Sequence, residues 1–475
     1  MPFDLRTTLQ AHRADAHALF AEHVNPQLAR VLTTIGFDRF YVRGQGAYLW
    51  DEAGNRYLDF LGGYAVFNVG RNHPVVRKAL QDCLAADLAS MVQFDAPVLA
   101  GLLARELKRL TGGRFDHAYF TNSGTEGVEA AIKFAKCATG RPAILFCDRA
   151  FHGLTGGAVS LNGCQSFRQG FGPFLPECRM VRFGDLGDLE RALRAGDVAA
   201  FVVEPIQGKG VHIPPAGYLA EAARLCHRHG ALFIADEVQT GVGRTGTFLA
   251  IDQEPGCEPD MVVLSKGLSG GYVPVGAVLL RHDAWQRVYS SMDRAIVHSS
   301  TFHMGALAMT AGLAVLSVYE DERIGEHAAR TGKRLLDGLQ ALAPGYEFVK
   351  AVRGRGLMVA VEFGEPRSLP LRTAWKAIHA MDPNLFAQAA VVPLFADHRI
   401  LCQVAGHNQP TIKLIPPLVA SNADVDAFLR AFRSVLDGIH RFPGPAFDIL
   451  RRLGTNAVTR RSYEEALAES ELATA

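Results

Sequence analysis

The chain has 475 residues, of which 48% are hydrophobic and 20% charged, the composition of a globular protein long enough for two or three domains. Its 49 basic and 48 acidic residues leave a net charge of +1, with both signs interspersed, so neither nucleic acid nor an anionic membrane surface is an expected partner. The eight cysteines include no C-x-x-C pair, which argues against a zinc site and for free thiols in a reducing compartment.

The opening "MPFDLRTTLQAHRADAHALF" is too polar for a signal peptide, and "GALAMTAGLAVLSVY" is too short to span a bilayer. The expectation is a soluble cytoplasmic protein. Residues 1–40 read as one or two surface helices. "GAYLWDEAGNRYLDF" then reads as a hairpin turning at Asp51 to Asn55.

From about residue 70 to 325, helical segments alternate with short apolar runs: "HAYFTNSG", "AILFCDRAF", "AAFVVEPI", "ALFIADEV", "MVVLSK" and "VGAVLL". Runs of this length bounded by Gly, Pro or polar residues suit strands buried on both faces of a parallel sheet. The segments between, such as "GYLAEAARLCHRHG", carry helical spacing and a glycine at the end. The pattern is α/β, a mostly parallel central sheet in a large domain. From 326 to 442 it becomes a smaller α+β domain. It has a helix in "HAARTGKRLLDGLQAL", strands in "VRGRGLMVAVEF" and "TIKLIPPL", and a helix in "ADVDAFLRAFRSVLDGI". Residues 1–69 read as a segment joining the small domain, and 443–475 as a C-terminal tail.

Ligands of parallel sheets bind at the carboxyl ends of strands, so the polar residues that end these runs carry the chemistry. In "TNSGTEGVEAAIKFAK" a strand ends in a glycine turn and a helix begins. Ser123 and Glu126 form a capping box, and the free N–H groups of Gly124 and Thr125 suit a phosphate; a well-capped helix would need the same residues. Asp236 and Glu237 end another strand, where a Mg²⁺ ligand, an N-cap or a surface pair would look alike. Lys266 stands at the tip of the next run, before a glycine-rich turn. A lysine that forms a Schiff base and an acid that keeps a ring nitrogen protonated are what pyridoxal 5'-phosphate (PLP) requires.

The sequence resembles the class III aminotransferases of PLP fold type I, the ornithine, putrescine and ω-amino acid group. The resemblance covers roughly residues 40–440. It is carried, in order, by "YLDFLGGYAVFNVG", "NSGTEGVEAAIKFAK", "AFHG", "VEPIQG", "ADEVQTGVGRTG", "LSKGLSGG", "HSSTF", "RGRGLM" and "IKLIPPL". It implies that Lys266 forms the internal aldimine and moves the proton, and that Asp236 pairs with the pyridine nitrogen. Gln239 would lie near the ring hydroxyl, and Ser123, Gly124 and Thr125 would hold the phosphate. Phe151 would stack on the ring, with His152 beside it as a supporting residue, and Glu204 would help switch the site between substrates. Thr301 would reach the phosphate of a neighbouring subunit, implying a homodimer with shared active sites.

The substrates implied are a terminal amine (a diamine or ω-amino acid) and an oxo acid such as 2-oxoglutarate or pyruvate. The resemblance is incomplete in two places. Lys413 stands in "TIKLIPPL" where relatives that use 2-oxoglutarate usually have arginine, and lysine grips a carboxylate less specifically. His303 and Met304 follow the "TF" pair where the family commonly has Gly-Gly-Asn-Pro, and they could shape the pocket or pack between subunits. Arg353 and Arg355 read as turn stabilisers. The Lys413 departure keeps a second reading open, a PLP enzyme of the same fold that does not transfer, such as a racemase, aminomutase or phospho-lyase.

Overall fold

The computed structural model describes residues 3–441, apart from 93, 382–384 and 406–408. Three helices come first, at Leu5–His12, Ala16–His23 and Pro26–Ile35, where one or two were expected. Local chemistry sets their ends. Asp4 accepts from Thr7 N at 2.7 Å, Asn25 from Leu28 N at 2.9 Å with Pro26 behind it, and Gly36 closes the third helix at φ 74°.

The expected hairpin pairs β2 (Tyr48–Asp51) with β3 (Arg56–Asp59), and β1 (Tyr41–Gln45) extends it. Asn55 N donates to Asp51 Oδ1 at 2.8 Å across the turn.

The central sheet has seven strands. They are β4 (His117–Thr121), β5 (Ala143–Cys147), β6 (Cys178–Val181), β7 (Val198–Val203), β8 (Leu232–Asp236), β9 (Met261–Leu264) and β10 (Gly276–Leu280). Their order is β4-β10-β9-β8-β7-β5-β6. Every residue of β5, β7, β9 and β10 is buried, because helices cover both faces. Phe201 and Val262 pack with Leu225 and Val315 on one side; Val202 and Val263 pack with Phe134 on the other.

One strand departs from the expected direction. β10 is antiparallel to β9 and to β4. The chain between β9 and β10 carries only a short 3₁₀ turn at Lys266–Ser269, and a parallel return needs a longer crossover.

Towards the C-terminus, helix Ile324–Leu342 leads into β11 (Val349–Arg355) and β12 (Met358–Phe363). The segment expected as one strand is thus a hairpin. Then come β13 (Ile400–Leu401), β14 (Gln403–Val404), β15 (Thr411–Leu414) and helix Asn422–His440. β11, β12, β15 and β14 form one sheet, while β13 pairs in parallel with β3, so residues 41–59 pack with this part of the chain. Phe60 stacks on Phe428 at 4.5 Å in its core. The expected tail, 443–475, lies outside the described residues.

Candidate active site

β4, β5, β7, β8 and β9 all end at one edge of the sheet, because β4 and β9 are both antiparallel to β10. That edge brings together Ser123, Phe151, His152, Glu204, Asp236 and Lys266.

Asp236 is 4% exposed. Its Oδ1 accepts from Val238 N at 3.0 Å, and its Oδ2 meets His152 Nδ1 at 2.7 Å. A carboxylate can only accept, so His152 Nδ1 carries the proton. Asn162 Oδ1 accepts from His152 N at 2.9 Å, which fixes the histidine. Burial disfavours the imidazolium, yet the Asp236 hydrogen bond and the nearby carboxylates outweigh it and raise the His152 pKa. His152 Nε2 is buried without a hydrogen-bond partner among the described residues. His152 is thus the brace of Asp236.

Lys266 opens a 3₁₀ turn at φ 34°, in the left-handed region. Its Nζ makes no hydrogen bond among the described residues, while its carbonyl accepts from Ser269 Oγ at 2.8 Å. Burial pushes its pKa below lysine's ordinary value; Asp236 and Glu204 oppose the shift and Lys209 adds to it. Gly267 follows because a Cβ there would lie 2.4 Å from Asn68 Nδ2.

Ser123 caps helix Gly124–Thr139, accepting from Glu126 N at 3.3 Å. The return bond differs from a regular capping box: Glu126 Oε2 accepts from Asn122 N, at 2.7 Å. The first N–H groups of a helix have no partner within it, so Gly124 and Thr125 present theirs to the edge. Gly124 has no room for a side chain, since a Cβ would meet Val238 Cγ1 at 2.7 Å. The Thr125 hydroxyl lies 2.7 Å from that of Thr155.

Glu204, 6% exposed, accepts from Phe151 N at 3.0 Å and from Gly208 N at 2.7 Å, and burial raises its pKa. Gln239 donates to Tyr64 O at 3.2 Å. Lys413 is 4% exposed; its Nζ donates to Gly208 O at 2.8 Å and to Gln239 Oε1 at 3.2 Å. Burial, with the like charges of Lys209 and Lys266, holds Lys413 well below lysine's ordinary pKa.

Thr301 is exposed, and its neighbour Ser300 accepts from Asn122 Nδ2 at 3.0 Å. His303 stacks on Tyr119 with ring centroids 5.7 Å apart, and Met304 packs against the sheet's core. Arg353 holds a turn, donating to Gly210 O at 2.6 Å and Val211 O at 3.0 Å, and Arg355 pairs with Glu254 at 3.1 Å.

Three site residues escaped the sequence reading. Lys209 sits on the turn after β7 with its Nζ 5.1 Å from the Phe151 ring centroid. Asn68 and Arg244 meet at 2.7 Å beneath the Lys266 turn. The signal for Arg244 was there, an arginine inside the glycine-rich "VGRTG", but nothing in the sequence marks it as fully buried.

A family profile described as aminotransferase class-III matches residues 33–436. This chain is a class III aminotransferase family member. The aminotransferase PigE of Serratia sp. (strain ATCC 39006) is 34% identical over 462 residues, 90% of this chain but 54% of PigE, so the chain spans about half the length of that relative. Ornithine aminotransferase from Toxoplasma gondii ME49 is 31% identical with a TM-score of 0.75, over 85% of this chain and 91% of its own. An amine transaminase from an uncultivated Pseudomonas species, solved in its PLP-bound form, is 29% identical with a TM-score of 0.73, over 84% of this chain and 94% of its own.

Class III aminotransferases use PLP, and the fold is that of fold type I PLP enzymes. The edge described above has the chemistry for that cofactor. It offers a lysine amine at 266 with no hydrogen-bond partner among the described residues, and a braced buried carboxylate at 236. It also offers a glycine-lined helix N-terminus at 124 and an aromatic wall at Phe151. No group of three or more His, Cys, Asp or Glu that could hold a metal occurs among the described residues, and no described helix is long and apolar enough to cross a membrane.

Proposed function

We propose that this protein is an aminotransferase that moves an amino group from a terminal amine, a diamine or ω-amino acid, to an oxo acid such as 2-oxoglutarate or pyruvate. The observation that carries the reading is the placement of Asp236 and Lys266. They end adjacent parallel strands, with Asp236 opposite Val263, three residues before the lysine. One is locked by His152 and the other has no hydrogen-bond partner among the described residues.

PLP, when bound, supplies a cationic ring that takes up the electrons released when the substrate C–H bond breaks. Asp236 would keep the ring nitrogen's proton in place, and His152 keeps Asp236 aimed. Lys266 would hold the cofactor through Nζ, and the same amine, when free, would take and give up the proton of the reacting carbon. Its lowered pKa suits this, because only the neutral amine accepts a proton.

Gly124 and Thr125 N–H groups, with Ser123 at the cap, would hold the phosphate. Phe151 would lie against the ring, where an aromatic contact contributes about 0.5–1.5 kcal/mol. Gln239, steadied by Lys413, would lie by the ring hydroxyl. Glu204 fixes the Phe151 and Gly208 backbones.

The protein works as a cytoplasmic homodimer, with Thr301 reaching the partner's phosphate site. Phe94, Met292 and Phe302 are 96%, 95% and 66% exposed, and Phe302 follows Thr301 directly in the chain. Residues 70–325 form the PLP-binding domain, and 326–442 with 1–69 the small one.

The test is incubation with a panel of terminal amines and oxo acids. A new amino acid formed in step with loss of the amine is expected. No transfer across the panel would rule the reading out.

A further inference from the structure

We infer that the carboxylate of the acid substrate is received at Lys209, on the turn after β7, and not at Lys413. The inference rests on the aminotransferase reading and adds the place where the acid binds. Lys413 sits in the strand where a carboxylate-gripping cation is expected, but its ammonium already donates to Gly208 O and Gln239 Oε1. At 4% exposure it is beyond easy reach of an incoming anion.

Lys209 is the next residue after Gly208; burial lowers its pKa as well, but it differs in access and in partners. It is half-buried, and its ammonium makes no hydrogen bond and no ion pair among the described residues. Two aromatic faces hold it instead: Nζ is 5.1 Å from the Phe151 ring centroid and 4.8 Å from that of Phe167. Aromatic faces orient a cation without neutralising it. Glu204 is the carboxylate that could neutralise it, but both its oxygens accept backbone N–H groups, from Phe151 and Gly208.

The backbone is pinned on each side of this lysine. Lys413 holds Gly208 O, and Arg353 holds Gly210 O and Val211 O. Arg353 is itself paired with Glu362, so it is not a competing anion site. Lys209 is therefore a cation on a rigid turn, beside Phe151 and within electrostatic range of Lys266. As a point charge on a flexible stem it suits oxo acids of differing length better than a bidentate arginine would.

The test uses the full-length, PLP-loaded protein and glutarate, a dicarboxylate that cannot accept an amino group. Binding is measured by titration calorimetry, with uncharged dimethyl glutarate as control. The expected result is that wild type binds glutarate and not the diester, Lys209→Met binds it at least tenfold more weakly, and Lys209→Arg restores binding. A loss smaller than tenfold in Lys209→Met, or no glutarate binding by wild type, would overturn the inference. Retained PLP shows that a variant is folded, and Lys209→Gln replaces the methionine variant if that one fails to load. The aminotransferase reading is judged separately, by whether wild type takes the amino group from an amine.

Discussion

Lysine in water, with a pKa of roughly 10.4, is almost fully protonated near neutral pH and cannot serve as a base. Burial lowers the Lys266 pKa from that value, and the like charge of Lys209 adds to the shift. The sign follows: the reactive form is the neutral amine, present above its lowered pKa and lost as pH falls through it. Transfer rates should therefore rise with pH through a pKa below the ordinary lysine value, and the rise should move to higher pH if Lys209 is replaced by methionine. A pH profile of kcat checks this; an inflection at or above the ordinary value would contradict it. Asp236→Asn should retain PLP but lose about 100-fold or more in kcat, the scale on which a lost preorganised charge interaction acts. Near-normal turnover with PLP bound would remove Asp236 from its role. The residues for which strand ends and motifs are enough, Lys266 and Asp236, were legible in the sequence. Lys209 was not, because its position depends on Phe167 and Lys413, which are far away along the chain.

Each strand of the central sheet ends in something the sequence could suggest but not aim. The all-apolar runs gave away β5, β7, β8 and β9, since burial on both faces leaves no alternation to misread. β6 was missed because it is the edge strand, partly exposed, with Arg179 turned to Glu177 and Asp197. The direction of β10 was hidden for a different reason: a buried antiparallel strand has the same composition as a parallel one. Beyond β8, Glu237 is 1% exposed and accepts from Thr240 Oγ1 and from Ile251 N. Burial pushes its pKa up to about 7, against the hydrogen bonds, which lower it. An acid whose pKa is raised in the folded state binds more protons folded than unfolded, so its contribution is whole below the ordinary glutamate pKa and is lost as pH rises towards 7 and beyond. Glu237→Gln should therefore melt close to wild type at pH 5 and above it at pH 8. Equal differences at the two pH values would refute this account of Glu237.

At the scale of the whole molecule, one buried arginine joins the parts. Arg244, 0% exposed, donates to Leu357 O at 2.9 Å, to Pro416 O at 2.5 Å and to Asn68 Oδ1 at 2.7 Å. It thereby ties the loop after β8 to the β11–β12 turn, to the segment after β15 and to the N-terminal region. Removing it leaves buried acceptors unpaired at about 1–3 kcal/mol each, so Arg244→Met should lose about 3 kcal/mol or more of stability. Denaturant unfolding measures it, and a loss under about 1 kcal/mol would show that the tie is unimportant. The change of pattern near residue 326 is visible in the sequence, whereas the return of β13 to β3 is not, because a two-residue strand leaves no periodic signal. The proposed function depends on one covalent bond. In protein purified with PLP supplied, borohydride reduction followed by peptide mapping should place the reduced pyridoxyl group on Nζ of Lys266. An unmodified Lys266, with the label absent or found on Lys209 or Lys413, would contradict the account.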